Sequence, residues 1–470
     1  MQDPEKKPKH AGKHHAKAVQ TEAVKEPVPV MEDAFLDEYD LGGTEGEIPL
    51  RLKKKKLSSQ DTKKNKKRSA SAKKRKKNKK KQKKLFSDQR FHHRKSLFEI
   101  MSATGEDSFF KPLRIFGYEI RFWPLFLLLF IIMLVGVIVI SNGNVQPVEE
   151  PITVVGLSED FEDYQILVIS DMNGKRFGDQ QGSLVRQVES LGYDMILCMG
   201  DMVGQDGDPE PFYEFLDGLS RPSRVYFVCG DSDPGPFLSS PRSIQGTLEQ
   251  LVLEDWILGA IERGAHYVDV PMSIEVGESR LWLTPTNYLN LNASEYREDW
   301  KEQMRQEEDG VVSGLASDYN SLPFTSYRYR QAEKFYEAVK EISASDLMIG
   351  LSHVVPDDDF ILSAAMHDGQ EGFLFEPELI VSGHYCGGVW KIPFLGAFYV
   401  PNRMLPNYGW FPDQEDVNGL SKIGESQVYI TGGLSTTSSV PVLPFRVFND
   451  PEVSVLTLSA KLPDNMLEAK

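Results

Sequence analysis

Three aspartates and two histidines in this chain each close a short apolar run. The runs are Gln165–Asp171 (QILVISD), Asp194–Asp201 (DMILCMGD), Arg224–Asp231 (RVYFVCGD), Asp346–His353 (DLMIGLSH) and Glu378–His384 (ELIVSGH). Carboxylate and imidazole together are the donor set of a borderline divalent cation. Such an ion polarises a bound substrate oxygen and activates water near neutral pH. The recurrence matters more than any one residue. A lone Asp after a strand is ordinarily a turn or N-cap residue, and His353, followed by Val-Val-Pro, is open to a role as a core histidine. Five such residues at five run ends would converge on one rim only if the runs are neighbouring strands.

Continuous apolar runs this short read as strands buried on both faces. In open α/β sheets such strands deliver ligand-binding residues to the loops at their carboxyl ends. Leu184, Val185, Val188 and Leu191 form a helical stripe that Gly192 would stop, linking the first two strands by a right-handed crossover. Phe212, Phe215, Leu216 and Leu219 repeat the pattern, and Phe335, Val339 and Ile342 mark a helix ahead of the Asp346 strand. These stripes are core packing. Residues 292–330 are polar and charged, an inserted helical or loop element over the sheet that either caps a groove or is a solvated excursion. Val428–Thr431 and Val453–Leu458 are further strands, and the Trp390–Trp410 stretch, rich in Gly, Pro and aromatics, suits either ordinary packing or a place near the acyl boundary of a membrane.

Charge is unevenly placed. Residues 1–115 carry a net charge of +15 and residues 116–470 a net of −31, summing to −16 for the chain. Residues 51–95 hold 23 Lys or Arg against Asp61 and Asp88, with too little apolar surface for a core, so a disordered tail is expected. Residues 122–140 (FWPLFLLLFIIMLVGVIVI) contain no charged side chain. They are long enough for about 28 Å of transmembrane helix, flanked by Arg114 and Arg121 with Trp123 at the interface. A cleaved signal core would lie nearer the start. The cationic side is retained in the cytoplasm, which makes this a single-pass plasma-membrane protein with its C-terminal domain outside. The division expected is a cytoplasmic Lys-rich tail (1–115), the membrane helix (116–141), a linker (142–158), one catalytic-type domain (159–460) and a C-terminal tail (461–470). The Lys-rich block is a solvated topogenic tail, a binder of anionic inner-leaflet lipids or, without interleaved aromatics, least of all a nucleic-acid binder. The acidic outer domain excludes nucleic acid as a direct substrate there. Three cysteines, Cys198, Cys229 and Cys386, make no disulfide framework; Cys198 and Cys229 lie in predicted strands as small hydrophobes.

The rim motifs in order are SDMN (Asp171, Asn173), GDMV (Gly200, Asp201), GDSD (Gly230 to Asp233), LSHVVP (His353) and GHYC (His384, Cys386). This series resembles the calcineurin-like metallophosphoesterases, whose motifs run DxH, GD, GNHD or GNHE, a lone His, and GHxH. The likeness spans about residues 160–460. The segments GHYCGGVWKIPFLGAFYVP and GLSTTSSVPVLPFRVFNDPEVSVLTL are similar to the membrane-associated branch related to UDP-diacylglucosamine pyrophosphohydrolases. The resemblance implies an α/β fold, a four-layer αββα metallophosphoesterase-like sandwich. It also implies one or two divalent ions (Mn, Zn or Fe) and a phosphoester or pyrophosphate substrate, lipid-linked if the domain works at the membrane. Asp201 would bridge the ions, Asp171 would hold one, and His353 and His384 the other. Glycine before an Asp permits the tight turn and close approach that a rim carboxylate needs.

The motifs depart from the family's at four places. Asn173 stands where the family has the His of DxH, Asp231 where it has the Asn of GNHD, Ser232 where it has that motif's His, and Cys386 for the second His of GHxH. Two readings follow. In the first the chain is a hydrolase, with metal ligands drawn from Asp171, Asn173, Asp201, Asp231, His353, His384 and Cys386, and Asp201, Asp231, Ser232 and His384 at the reacting centre. In the second it is a pseudo-phosphoesterase that binds a ligand or serves as a scaffold, because loss of a general-acid candidate removes a factor of roughly 10² to 10⁴ in rate.

Overall fold

The computed structural model describes residues 113–115, 118–120, 123–313, 321–400, 409–414, 417–436 and 446–461. All belong to one unit, residues 97–470; the other, residues 1–96, lies outside the described residues. The Lys-rich block and nearly all of the C-terminal tail therefore remain as read from sequence.

A short hairpin of β1 (Leu113–Ile115) and β2 (Tyr118–Ile120) precedes α1 (Trp123–Ser141), whose described side chains are almost all exposed. From Pro124 to Ser141 this helix is long and apolar enough to cross a membrane. The first half of the domain then runs β3 (Gln146–Thr153), β4 (Gln165–Ile169), α2 (Gly182–Leu191), β5 (Met195–Met199), α3 (Glu210–Gly218), β6 (Val225–Val228), α4 (Leu248–Val252), α5 (Asp255–Glu262) and β7 (His266–Tyr267). The second half runs β8 (Met272–Val276), β9 (Ser279–Pro285), α6 (Ala293–Ser313), α7 (Leu322–Glu341), β10 (Leu347–Leu351), α8 (Asp358–Ala365), β11 (Leu379–Ser382), β12 (Trp390–Ile392), β13 (Gly396–Val400), β14 (Gly409–Trp410), β15 (Gly419–Ile423), β16 (Ser426–Ile430) and β17 (Glu452–Ser459).

Two six-stranded mixed sheets organise these elements, one in the order β3-β17-β4-β5-β6-β7 and the other β15-β16-β11-β10-β9-β8. The five rim-bearing runs are strands β4, β5, β6, β10 and β11; the first three are mutually parallel in one sheet and the last two parallel in the other. Their continuous apolar character has a direct cause, since both faces of each strand are covered. Ile166, Val168, Leu197 and Met199 from the first sheet share a core with Leu283, Ile349, Leu351 and Val381 from the second. The alternate residues Leu167, Ile169, Ile196 and Cys198 pack instead with Leu184 and Val188 of α2 and Phe212 and Phe215 of α3. On the second sheet, Trp282 and Met348 pack with Ala293 of α6 and Phe335 of α7. Each fully buried aliphatic side chain contributes about 1.5–3 kcal/mol, as an upper estimate, so strands buried on both faces are the most stable positions from which to hold a site.

One part of the chain differs from the sequence reading and two are decided by the structure. Residues 142–158 are not a free linker: Gln146–Thr153 is an eight-residue edge strand paired in parallel with β17. Its two prolines suggest a tether, yet proline is tolerated on an edge strand where no ladder donor is required of it. The polar insertion is largely helix, with α6 and α7 antiparallel to each other: Tyr296 meets Phe335 at 6.0 Å between ring centroids, and the Arg328 guanidinium lies 6.0 Å from the Trp300 ring. The Phe335 stripe is therefore the C-terminal half of a 20-residue helix beginning at Leu322. Finally, β12, β13 and β14 form a separate antiparallel sheet.

Candidate metal centre

The predicted rim residues lie two to four positions beyond their strands, where the backbone must turn. Asp171, Asn173, Asp201, His384 and Cys386 all adopt positive φ, between 49° and 72°. Left-handed backbone at non-glycine residues is uncommon and is held only where the surroundings over-determine it. Here the surroundings are backbone bonds between rim loops: Asp171 N donates to Gly200 O at 3.1 Å and Asn173 N to Asp201 O at 2.7 Å. Gly200 (φ 81°) and Gly230 answer the expectation of glycine before the carboxylates. A Cβ on Gly200 would fall 2.6 Å from His353 Nδ1, and one on Gly230 only 2.1 Å from Asp201 Oδ1.

Asp201, Asp231, His353 and His384 each present one ligand atom, and these four atoms lie within 4.8 Å of one another. Asp231 Oδ1 is 2.7 Å from His384 Nδ1 and 3.0 Å from His353 Nε2. His353 Nε2 is 3.4 Å from Asp201 Oδ2 and 3.1 Å from His384 Nδ1. The other face of the His353 ring is fixed, because Nδ1 contacts Met199 O at 2.6 Å. A carbonyl can only accept, so Nδ1 carries the hydrogen and Nε2 is the nitrogen that faces the cluster. Asp201 Oδ1 accepts from Ser232 N at 2.8 Å, whereas the buried Oδ2 meets only His353 Nε2, at 3.4 Å. A buried carboxylate oxygen left in this way, among two imidazoles and a second carboxylate, fits a cation.

The electrostatics agree. Burial works against charge on Asp231, but hydrogen bonds from His353 and His384 hold its carboxyl far below the usual carboxylate range. Asp201 is likewise lowered: burial opposes its charge, and His353 more than compensates. Burial would also depress the His353 ring, yet Asp201 and the bonds to Asp201 and Asp231 raise it well above the ordinary histidine value. A proton and a cation would compete for the same place on His353.

The remaining predicted ligands, Asp171, Asn173 and Cys386, fall outside this four-residue cluster. Asp171 is buried beside it, its Oδ2 accepting from Ser170 Oγ at 2.5 Å and from His384 N at 3.2 Å, with Oδ1 buried and without a partner. Its carboxyl is raised by burial, with Asp201 adding to the effect. Cys386 is fully buried, and burial, followed by Asp171, pushes its thiol well above the ordinary value. To ligate a cation this thiol would have to give up that proton, since the thiolate is the binding form. Cys198 and Cys229 are free thiols on and just after strands, as expected.

Two functional neighbours went unrecognised in the sequence. Asp233, buried, accepts from Val203 N, Gly204 N and Gly230 N at 2.8–2.9 Å and so ties two rim loops together. Arg446 is 1% exposed; its Nη1 donates to Gly433 O at 2.8 Å and its Nε to Asn449 O at 3.0 Å, and Asn449 Nδ2 in turn donates to Cys386 O at 2.8 Å. Its guanidinium is thus a fixed positive charge that acts on Cys386 and Asp171. The signal was a single Arg inside the otherwise apolar PVLPFRVF, read only as part of a resemblance.

No protein family's sequence profile matches the chain, and no curated protein does. Among solved structures, phosphopantetheinyl hydrolase (PptH) from Mycobacterium tuberculosis is similar over 62% of this chain and 98% of its own, at 11% identity and a TM-score of 0.28. The sulfate thiohydrolase SoxB from Thermus thermophilus is similar over 66% of this chain and 59% of its own, at 12% identity and a TM-score of 0.26. Likenesses this weak carry no weight beside the geometry of the chain itself.

Proposed function

We propose that this chain is a membrane-anchored, metal-dependent phosphoesterase of αββα architecture that hydrolyses a phosphoester or pyrophosphate, lipid-linked, at the outer face of the plasma membrane. The observation that carries the reading is the convergence of Asp201, Asp231, His353 and His384 from four loops and two sheets to within 4.8 Å. These four residues would hold one divalent ion of the Mn, Zn or Fe class. Such an ion supplies Lewis-acid polarisation of a phosphoryl oxygen and lowers the pKa of water. Around it, Met199 O keeps the His353 ring oriented, Ser232 N keeps one Asp201 oxygen engaged so that the other faces the ion, and Asp231, a third exposed, is the ligand on the solvent side. The Asp171 side is a poorer second position: its neighbours are an amide, a firmly protonated thiol and the Arg446 charge. We therefore read the four-residue cluster as the principal ion site.

Placement at the membrane draws on α1 and on the bonds that join its end to the domain. Asn142 Nδ2 donates to Arg446 O at 2.7 Å, Arg446 N donates to Asn142 Oδ1 at 2.8 Å, and Lys175 Nζ donates to Asn142 O at 2.8 Å. Arg446 is the same residue that acts on Asp171 and Cys386, so the centre is held near the helix end and lipid-linked phosphoesters are the substrates within reach. With the basic tail on the cytoplasmic side, its lysines would meet anionic inner-leaflet lipids.

Ser232, standing where a general-acid imidazole would serve, favours the second reading, a catalytically impaired protein that binds its ligand. One assay separates the two. The full chain in detergent should cleave bis(p-nitrophenyl) phosphate with Mn²⁺ or Zn²⁺ and lose that activity in Asp201→Ala. Absence of turnover with any divalent ion, combined with thermal stabilisation by the metal, would select the binding protein.

A further inference from the structure

The sheet of β12, β13 and β14 is rich in aromatic residues and carries exposed apolar side chains at its turns and flank. Trp390, Phe398, Tyr399 and Trp410 contact one another with ring centroids 4.7–6.0 Å apart, which makes it a stiff platform. From its turns and flank, Phe394, Leu395, Trp410 and Phe411 stand 59–105% exposed, and Phe448, next to it in space through the Trp390–Val447 bridge, is 53% exposed. A patch of large apolar side chains of this kind marks a surface that meets something apolar.

The backbone gives an independent sign. Phe394, Phe411 and Phe448 have φ of 70°, 57° and 50°. A bulky residue in the left-handed region is a genuine outlier. Each of these three rings is nonetheless left more than half exposed, so the chain gains little burial from holding it there.

The covalent and hydrogen-bonded path says what that is. Val447 N donates to Val389 O at 3.2 Å and Lys391 N donates to Val447 O at 2.9 Å, so β12 is bonded to the segment next to Arg446. Arg446 exchanges two bonds with Asn142, and Asp450 bonds Ser141, the last residue of α1. Two bonded backbone neighbours separate the aromatic sheet from the helix end, on the order of 10 Å at strand spacing. That distance leaves Trp and Phe within reach of the interface, where aromatic rings are enriched.

We infer that the β12–β14 sheet seats on the lipid bilayer that α1 enters, with Phe394, Leu395, Trp410, Phe411 and Phe448 inserted at the boundary between headgroups and acyl chains. The seat lies only six residues beyond His384 in the chain, which fixes the centre at the membrane surface instead of leaving it to sway above. This rests on α1 spanning the bilayer, and the test keeps the two apart. Full-length protein with Cys229→Ser is reconstituted in phosphatidylcholine–phosphatidylglycerol nanodiscs, with a nitroxide at Leu395→Cys, Phe411→Cys, Met366→Cys or Met133→Cys. Power saturation then compares collisions with oxygen and with a water-soluble nickel chelate. Labels at 395 and 411 are expected to favour oxygen, as the helix label at 133 does, while the label at 366, an exposed site on another part of the domain, favours nickel. Nickel-accessible labels at 395 and 411 beside an oxygen-favouring 133 overturn the seat alone, and a nickel-accessible 133 overturns the membrane span on which it depends. Dipolar broadening at 395 that vanishes on mixing with unlabelled protein means that a second copy covers the patch, which also overturns the seat.

Discussion

Metal binding should release a proton, and His353 is where it comes from. With Nδ1 committed to Met199 O, the cation must bind at Nε2, the position that otherwise carries a proton between Asp231 at 3.0 Å and Asp201 at 3.4 Å. At an effective dielectric constant of about 20, each carboxylate at roughly 3 Å attracts that proton's charge by about 5 kcal/mol. Water screens the third-exposed Asp231 and reduces its share. Desolvation of the ring removes several kcal/mol more. A few kcal/mol remain in favour of the charged ring, consistent in sign with a value held well above the ordinary one. Below that raised value a cation displaces one proton, so its association constant should rise about tenfold, or about 1.4 kcal/mol, per pH unit. In the metal-free fold the sign is opposite: the ring's stabilisation is complete below the ordinary histidine pKa and fades as pH rises through the raised one. Calorimetric titration of chelator-stripped full chain with Zn²⁺ at pH 6, 7 and 8, in buffers of different ionisation enthalpy, measures both quantities. Affinity that stays flat from pH 6 to 8 with no proton released would refute the reasoning.

Two substitutions probe the supports of the centre. Gly230→Ala would place a methyl 2.1 Å from Asp201 Oδ1 and 2.3 Å from Asp201 N, a clash with backbone that no rotamer relieves; it should cost about 2–3 kcal/mol of stability and weaken Zn²⁺ binding roughly tenfold or more, read by thermal unfolding and titration. Lys175 is pushed down to about 8 by burial and by Arg446, so keeping it charged costs on the order of 3 kcal/mol before its partial exposure and its bond to Asn142 O are allowed for. Lys175→Met should therefore stabilise the protein at pH 7 by about 1 kcal/mol, and the gain should disappear as pH rises from about 8 toward 10.5, where the unfolded chain also loses that proton. An equal gain at pH 7 and pH 10.5 would show that charge is not the cause.

The strands and their terminal ligands were legible because burial on both faces leaves a mark that needs no partner to be read: QILVISD and DMILCMGD are apolar throughout and stop at the rim. The same logic fails at an edge. Gln146–Thr153 has only Ile152 buried, so its sequence looks like a tether although it pairs with β17 along its whole length. Helix α6 is legible only as helix or loop for a related reason, since Ala293, Tyr296 and Trp300 make a narrow stripe on an otherwise charged helix. At the centre, motif order identified Asp201, Asp231, His353 and His384 together. Which of the seven proposed ligands face one another depends on loop conformations at positive φ and on a buried Arg446 brought in from 60 residues beyond Cys386, and neither is written in local spacing.

The most direct measurement is elemental analysis of the purified full-length protein, wild type beside Asp231→Ala and His384→Ala. One Mn, Zn or Fe per chain in the wild type, lost in both variants, is the result expected of a centre built from Asp201, Asp231, His353 and His384. A wild type that carries no such ion after incubation with each metal, or an ion that both variants retain, would contradict it.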